Sequence, residues 1–285
     1  YLPKPFNPTL LQARVEASLA KKRLHDRERL HAQSLERELE IGRQIQQGFL
    51  PTELPRPAGW EIAASFQPAR QVAGDFYDAF PLGADRLGLI VADVCGKGVG
   101  AALFMALFRS LLRAHAHRAS AELRGRPSIE AVLLDAVWST NGYITTVHRP
   151  AHIFASVFFG VLETPSGRLH YINAGHNPPV ILDASGPRSQ LDTTGPALGV
   201  LSDATFGVAE ATVRPGETLL AYTDGIIEAR NAARVFFSEE RFYALLEAPP
   251  ARAADLLARL EDAVRAHVVG TVPTDDVTML AVRRG

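Results

Sequence analysis

Among its 285 residues this chain has one cysteine, Cys95. That scarcity excludes a disulfide framework and a Cys-rich zinc module, and it leads to the expectation of a reducing, cytoplasmic compartment. Charge of one sign is also missing: 30 Lys and Arg stand against 31 Asp and Glu, for a net charge of −1. A nucleic-acid-binding chain normally concentrates a basic excess, so no nucleic-acid partner is expected. No uninterrupted run reaches the roughly 20 apolar residues of a membrane span; the longest, residues 153–162, has the length of a strand, and no membrane span is expected. Internal repeats and low-complexity segments are absent. At this length the chain can bury a full core, with about two domains as the prior.

The charges are unevenly placed. Residues 21–43 hold twelve charged side chains in 23 positions, against 21% for the whole chain. The chain divides into three zones. Residues 1–20 read as a strand end, a Lys4-Pro5 step and a helix opened by Asn7-Pro8, with Leu10, Leu11, Val15 and Leu19 at helical spacing. Residues 21–50 contain no proline, and Leu24, Leu35, Leu39, Ile45 and Phe49 are sparse among mixed charges. Such a helix buries little alone, so it is expected to pair as a coiled coil in a homodimer, although His31 and Gly42 interrupt the seam. Pro51, Pro55 and Pro57 end it. The chain starts at Tyr1 rather than Met, and an upstream portion is expected.

Residues 51–285 alternate strand-like and helical stretches. Strands are expected at 61–66, 76–81, 87–91, 154–163, 169–174, 179–182, 218–222 and 277–282. Helices are expected at about 100–117, 128–147 and 251–267. Strands in runs and helices in pairs indicate an α+β layered domain.

Four acidic clusters stand at the ends of these strands: Gly74-Asp75-Phe76-Tyr77-Asp78, Ala92-Asp93-Val94-Cys95-Gly96-Lys97-Gly98, Tyr222-Thr223-Asp224-Gly225 and Thr274-Asp275-Asp276-Val277-Thr278. Carboxylates beside apolar strands are costly unless solvated, paired or metal-bound. Converging Asp oxygens without His or Cys favour a hard cation, Mg²⁺ or Mn²⁺. For any single cluster a turn-capping role serves equally well, because Asp-Gly is a common turn pair. Cys95 has no flanking base to activate it, and a buried thiol is expected there. Gly96-Lys97-Gly98 lacks the spacing of a phosphate-binding Walker loop.

These motifs, with Ala101-Ala102-Leu103, Asn173-Ala174-Gly175-His176-Asn177-Pro178-Pro179 and the approach Ile45-Gln46-Gln47-Gly48-Phe49-Leu50-Pro51, resemble in order the bacterial metal-dependent Ser/Thr phosphatases of the PPM family, in its SpoIIE/RsbU branch. The resemblance covers about residues 50–282. It implies a layered α-β-β-α sandwich with two Mn²⁺ or Mg²⁺ ions in the active state. Asp93 would bridge both ions, the Val94 carbonyl would complete one coordination sphere, Asp224 and Asp275 would hold one ion, and Asp75 would contact the second or its waters. Asp93, Asp75 and Asp224 are therefore the expected catalytic groups, and Asp276 is expected one layer out. Ala73 departs from the branch, which usually has Gly there, and Arg70 is not expected to replace the phosphate-binding Arg of eukaryotic relatives. His176 is expected to shape its loop, and Gly195-Pro196-Ala197-Leu198-Gly199 also resembles a loop of the family.

Residues 1–6 resemble the last strand and Lys-Pro step of a response-regulator receiver domain, with Lys4 as its phosphate-sensing lysine. By resemblance, then, the chain is the phosphatase output of a two-component or partner-switching pathway. Its substrate would be a phosphorylated STAS-type anti-sigma-factor antagonist, and a sensor kinase would act through the receiver. The alternative is a catalytically silent module of the same fold that sequesters a partner. The domains expected are a receiver remnant at 1–20, a linker helix at 21–50 and a phosphatase domain at 51–285.

Overall fold

The computed structural model describes residues 8–122 and 128–285. The Lys4-Pro5 step and the strand end expected before it lie outside the described residues. By internal contacts the chain divides into two units, Tyr1–Ile45 and Gln46–Gly285.

In the first unit the described residues are helical throughout and belong to one continuous helix, α1 (Pro8–Gln47). The helix runs without interruption across residue 20, where the expected receiver remnant adjoins the expected linker helix. Nothing there stops a helix: no Pro or Gly falls between Pro8 and Gly42, and Pro8 supplies a proline at the first helical position. Leu19, Leu24, Leu30, Leu35 and Ile41 are all exposed.

The second unit holds ten strands and four helices among the described residues: β1 (Trp60–Gln67), β2 (Phe76–Pro81), β3 (Arg86–Val94), α2 (Val99–Glu122), α3 (Ile129–Val147), β4 (Ala155–Glu163), β5 (Arg168–Ala174), β6 (Val180–Asp183), β7 (Gly186–Gln190), β8 (Ala209–Thr212), β9 (Thr218–Tyr222), α4 (Glu239–Leu246), α5 (Ala253–His267) and β10 (Val277–Arg284). They form two five-stranded sheets, ordered β1-β10-β9-β6-β7 and β2-β3-β4-β5-β8. Every strand pair is antiparallel.

The alternating pleat explains the layers. In β3, Leu87, Leu89 and Val91 face the core between the sheets, where they meet Leu219, Ala221, Leu280 and Val282 of the other sheet. Ile90, Ala92 and Val94 face the opposite way, onto Met105, Phe108 and Leu112 of α2 and Leu133 and Val137 of α3. In β9, Leu220 and Tyr222 turn outward onto Phe242 of α4 and Leu256 and Leu260 of α5. Strands covered on both faces read as continuous apolar runs, which makes them conspicuous in the sequence. The result is the expected α-β-β-α sandwich.

Three elements have no clear signal in the sequence. β7 and β8 carry Gly, Pro, Arg, Ser and Glu in short stretches, and α4 is only eight residues long, too short for its periodicity to register. Ser128, expected as the first helical residue, is the N-cap of α3, its Oγ accepting from the Ala131 N–H at 3.2 Å.

One described helix, Val99–Ala121, is long and apolar enough by composition to cross a membrane, which a search for uninterrupted runs does not register. Here its apolar face packs on the sheet. Its Arg109 and Arg113 clasp the fully buried Asp78 of β2 at 2.9 and 3.1 Å. Arg113 also lies over the Phe80 ring at 4.8 Å, and the His117 ring packs against that ring with centroids 5.2 Å apart.

Candidate metal centre

The four acidic clusters meet because four strands reach one end of the sandwich. Asp75 directly precedes β2, and Asp93 and Val94 are the last two residues of β3, with Asp93 opposite Ser156 of β4. These come from one sheet. From the other, Thr223 and Asp224 follow β9, where the chain turns through a single 3-10 turn (Asp224–Ile226), and Asp275 and Asp276 directly precede β10.

Each loop is tied into place. The Asp276 carboxylate accepts the Ala69 N–H at 2.7 Å and the Gly74 N–H at 2.8 Å, fixing the loop that leads to Asp75. Thr223 donates its hydroxyl to Asp75 Oδ2 at 2.7 Å, joining the two sheets across the site. Two close approaches require glycine. A Cβ on Gly74 would lie 2.7 Å from the Val94 carbonyl oxygen, and one on Gly225 would lie 1.8 Å from the Asp276 carbonyl oxygen. Side chains at these positions would push apart the loops that bring the acids together.

The electrostatics are those of crowded anions. Burial, followed by the charges of Asp93 and Asp276, holds the Asp75 carboxyl well above the usual carboxylate range. Asp93 is pushed up to about 6 by burial and by the charges of Asp224 and Asp275. Burial raises Asp224, with Glu228 and Asp275 adding to it, and burial raises Asp276 against its backbone hydrogen bonds. Among the described residues Lys97 answers them: its Nζ lies 2.7 Å from Asp275 Oδ2 and also donates to the Thr274 carbonyl. Lys97 thereby ties the β3–α2 turn to the strand-entry loop of the opposite sheet.

A set of carboxylates that raise one another's pKa, with a backbone carbonyl alongside, is the donor chemistry of a hard divalent cation. As placed, no group of three or more His, Cys, Asp or Glu among the described residues stands close enough together to hold a metal ion. The residues fit such an ion by the chemistry of the donor set, whose carboxylates feel one another's charge.

Other residues singled out from the sequence take plainer places. Cys95 is half-buried rather than fully buried, because it sits at the sheet's open end; its Sγ accepts the Phe154 N–H at 3.2 Å. His176 is buried, with Nδ1 2.8 Å from Ser156 Oγ and its backbone N–H donated to Asn173 Oδ1; burial pulls its pKa down to about 4, so it is neutral at pH 7. The loop at 195–199 bridges β4 through Ala155 and Leu198, next to Val94, and Gly199 donates to Asn141 Oδ1. Arg70 is exposed. Thr223 and Gln46 belong to motifs legible in the sequence, but their bonds to Asp75 and to the Ala73 backbone are long-range and carry no local signal.

The sandwich and its acidic end define a class. Residues 83–285 match the family described as Stage II sporulation protein E (SpoIIE), and the chain belongs to that family. It is 44% identical over 262 residues to Protein IcfG of Synechocystis sp., covering 87% of this chain and 41% of that protein. It is 26% identical over 261 residues to phosphoserine phosphatase RsbU of Bacillus subtilis, covering 88% and 71% respectively. The chain thus spans about two fifths of IcfG. The fold matches the SiaA-PP2C domain of Pseudomonas aeruginosa, with a TM-score of 0.68 at 21% identity over 89% of this chain and 98% of that one. It also matches the catalytic domain of the serine threonine protein phosphatase PstP, solved with 2 manganese ions, with a TM-score of 0.56 at 18% identity over 79% and 97%.

Proposed function

We propose that this chain is a Mn²⁺- or Mg²⁺-dependent phosphoprotein phosphatase acting on phosphoserine or phosphothreonine. The observation that carries the proposal is the convergence of Asp75, Asp93, Asp224, Asp275 and Asp276 from both sheets, where burial raises the pKa values of four of the five. Membership in a family that includes a named phosphoserine phosphatase supports it.

In this reading Asp93 is the shared ligand, since its carboxylate feels both Asp75 on its own sheet and Asp224 and Asp275 on the other. Asp224 and Asp275 would hold one ion, Asp75 would contact the second or its waters, and the Val94 carbonyl would complete one coordination sphere. When bound, such ions lower the pKa of water and neutralise the phosphate, so hydrolysis needs no protein nucleophile. The chain's own part is to supply anionic oxygens and hold them close. Asp276 keeps the Asp75 loop in register, Thr223 orients the Asp75 carboxylate, and Lys97 offsets the charge of Asp275. Divalent ions compete with protons at these raised carboxyls, so metal affinity increases with pH.

We further propose that α1 pairs with a second copy through its exposed leucines, that a receiver domain precedes it, and that a sensor kinase acts through that receiver. The substrate, on the same reading, is a phosphorylated STAS-type anti-sigma-factor antagonist in the cytoplasm. The deciding experiment is Mn²⁺-dependent phosphate release from an aryl phosphate and from a phosphorylated STAS protein, with Asp93→Asn as the control. Turnover that needs metal and falls by more than about 100-fold in the variant is expected. Absence of metal-dependent turnover on both substrates would leave the catalytically silent partner-binding module.

A further inference from the structure

The last turn of α1 carries one buried polar side chain, Gln46, which is 5% exposed. Its Nε2 donates to the Ala73 carbonyl at 2.7 Å, and its Oε1 accepts the Ala73 N–H at 2.9 Å. Both amide groups therefore pair with the backbone of a single residue 27 positions away, as a neighbouring strand would. Ala73 has no such strand, because it lies between β1 and β2 in a stretch outside regular structure.

The two residues after Ala73 give the clamp its meaning. The Gly74 N–H goes to Asp276, and the Asp75 carboxylate is held by Thr223. Three side chains thus fix three successive residues: Gln46 holds Ala73, Asp276 holds Gly74, and Thr223 holds Asp75. Asp276 and Thr223 flank the strands that end at the acidic cluster. Gln46 does not; it reaches the loop from the helix that precedes the sandwich in sequence.

We propose that Gln46 is a positioning residue for Asp75. By fixing the Ala73 peptide it sets where the Asp75 carboxylate enters the cluster, and so how well that carboxylate holds a divalent cation. This rests on the metal-dependent reading above. Only an amide satisfies both partners at once. A carboxylate lacks the donor for the Ala73 carbonyl, and a methionine of similar shape leaves both backbone groups unpaired in a site from which water is excluded.

The test uses the full chain with Gln46→Met, and with Gln46→Glu as a second variant that keeps the size and the acceptor. Mn²⁺ affinity is measured calorimetrically without substrate, alongside thermal unfolding in EDTA and kcat and KM for an aryl phosphate. Folded variants are expected to bind Mn²⁺ about 10–100-fold more weakly, the size seen when a group supporting a metal ligand is removed. Raising the Mn²⁺ concentration should restore kcat, with KM for the aryl phosphate unchanged. A lowered unfolding temperature with Mn²⁺ affinity within twofold of wild type would show a structural clamp only and overturn the proposal. Wild-type protein that binds no Mn²⁺ would overturn both this proposal and the reading on which it rests.

Discussion

Removing a carboxylate from the acidic cluster should stabilise the metal-free protein, and Asp93→Asn is the cleanest case. Asparagine keeps the shape and removes the charge. In the folded chain Asp93 titrates near 6, against 3.8 for an unperturbed carboxyl, because burial and the neighbouring Asp224 and Asp275 disfavour its ionised form. A rise of that size corresponds to about 3 kcal/mol held against the folded state once Asp93 is ionised in both states. Well below pH 3.8 the group is protonated whether folded or not, and the difference vanishes. Between those limits the folded protein retains a proton that the unfolded chain releases, so wild-type stability falls relative to the variant as pH rises. His176 has the opposite slope, since its pKa is lowered to about 4 by burial, but it is common to both proteins and cancels in the comparison. Urea unfolding in EDTA, followed by circular dichroism, should show the variant more stable by about 3 kcal/mol at pH 7.5 and by about half that at pH 5. A variant no more stable at pH 7.5, or a gap that does not shrink at pH 5, would refute the picture of mutually repelling buried acids.

Two further perturbations test the frame around the site. Arg109→Met leaves the fully buried Asp78 with Arg113 alone; unfolding stability should drop by about 3 kcal/mol, measured by urea titration with an unchanged m-value. Gly225→Ala places a methyl group against the Asp276 carbonyl, so the strand-entry loop must move; calorimetry should show Mn²⁺ affinity lower by at least about 10-fold while the circular dichroism spectrum stays native.

How much of the fold is legible in the sequence depends on whether the cause is local. β2 and β9 can be placed to the residue because apolar side chains predominate in both and turn residues bound them. α4 and β8 cannot, because an eight-residue helix and a four-residue edge strand owe their form to what they pack against, Phe242 on Tyr222 and Glu210 beside His170. The change in composition at residue 20 leaves no mark on the helical backbone, which runs through it. The acidic residues are each legible as strand-end motifs. Their supports are not: Gln46 and Ala73, Thr223 and Asp75, and Lys97 and Asp275 are separated by 27, 148 and 178 positions, and only the folded chain makes them neighbours.

The acidic groups are divided between the two sheets, Asp75 and Asp93 on one and Asp224 and Asp275 on the other. On the metal-dependent reading proposed above, an ion held by both halves would act as a rivet through the sandwich. Its binding would add to cohesion by mass action, about 2.7 kcal/mol when the free ion stands at 100 times its dissociation constant. A cell short of divalent ions would then lose more than turnover. The same scarcity that idles the enzyme would loosen its layers and expose it to proteolysis, so the ion supply would set how long the protein survives as well as how fast it works.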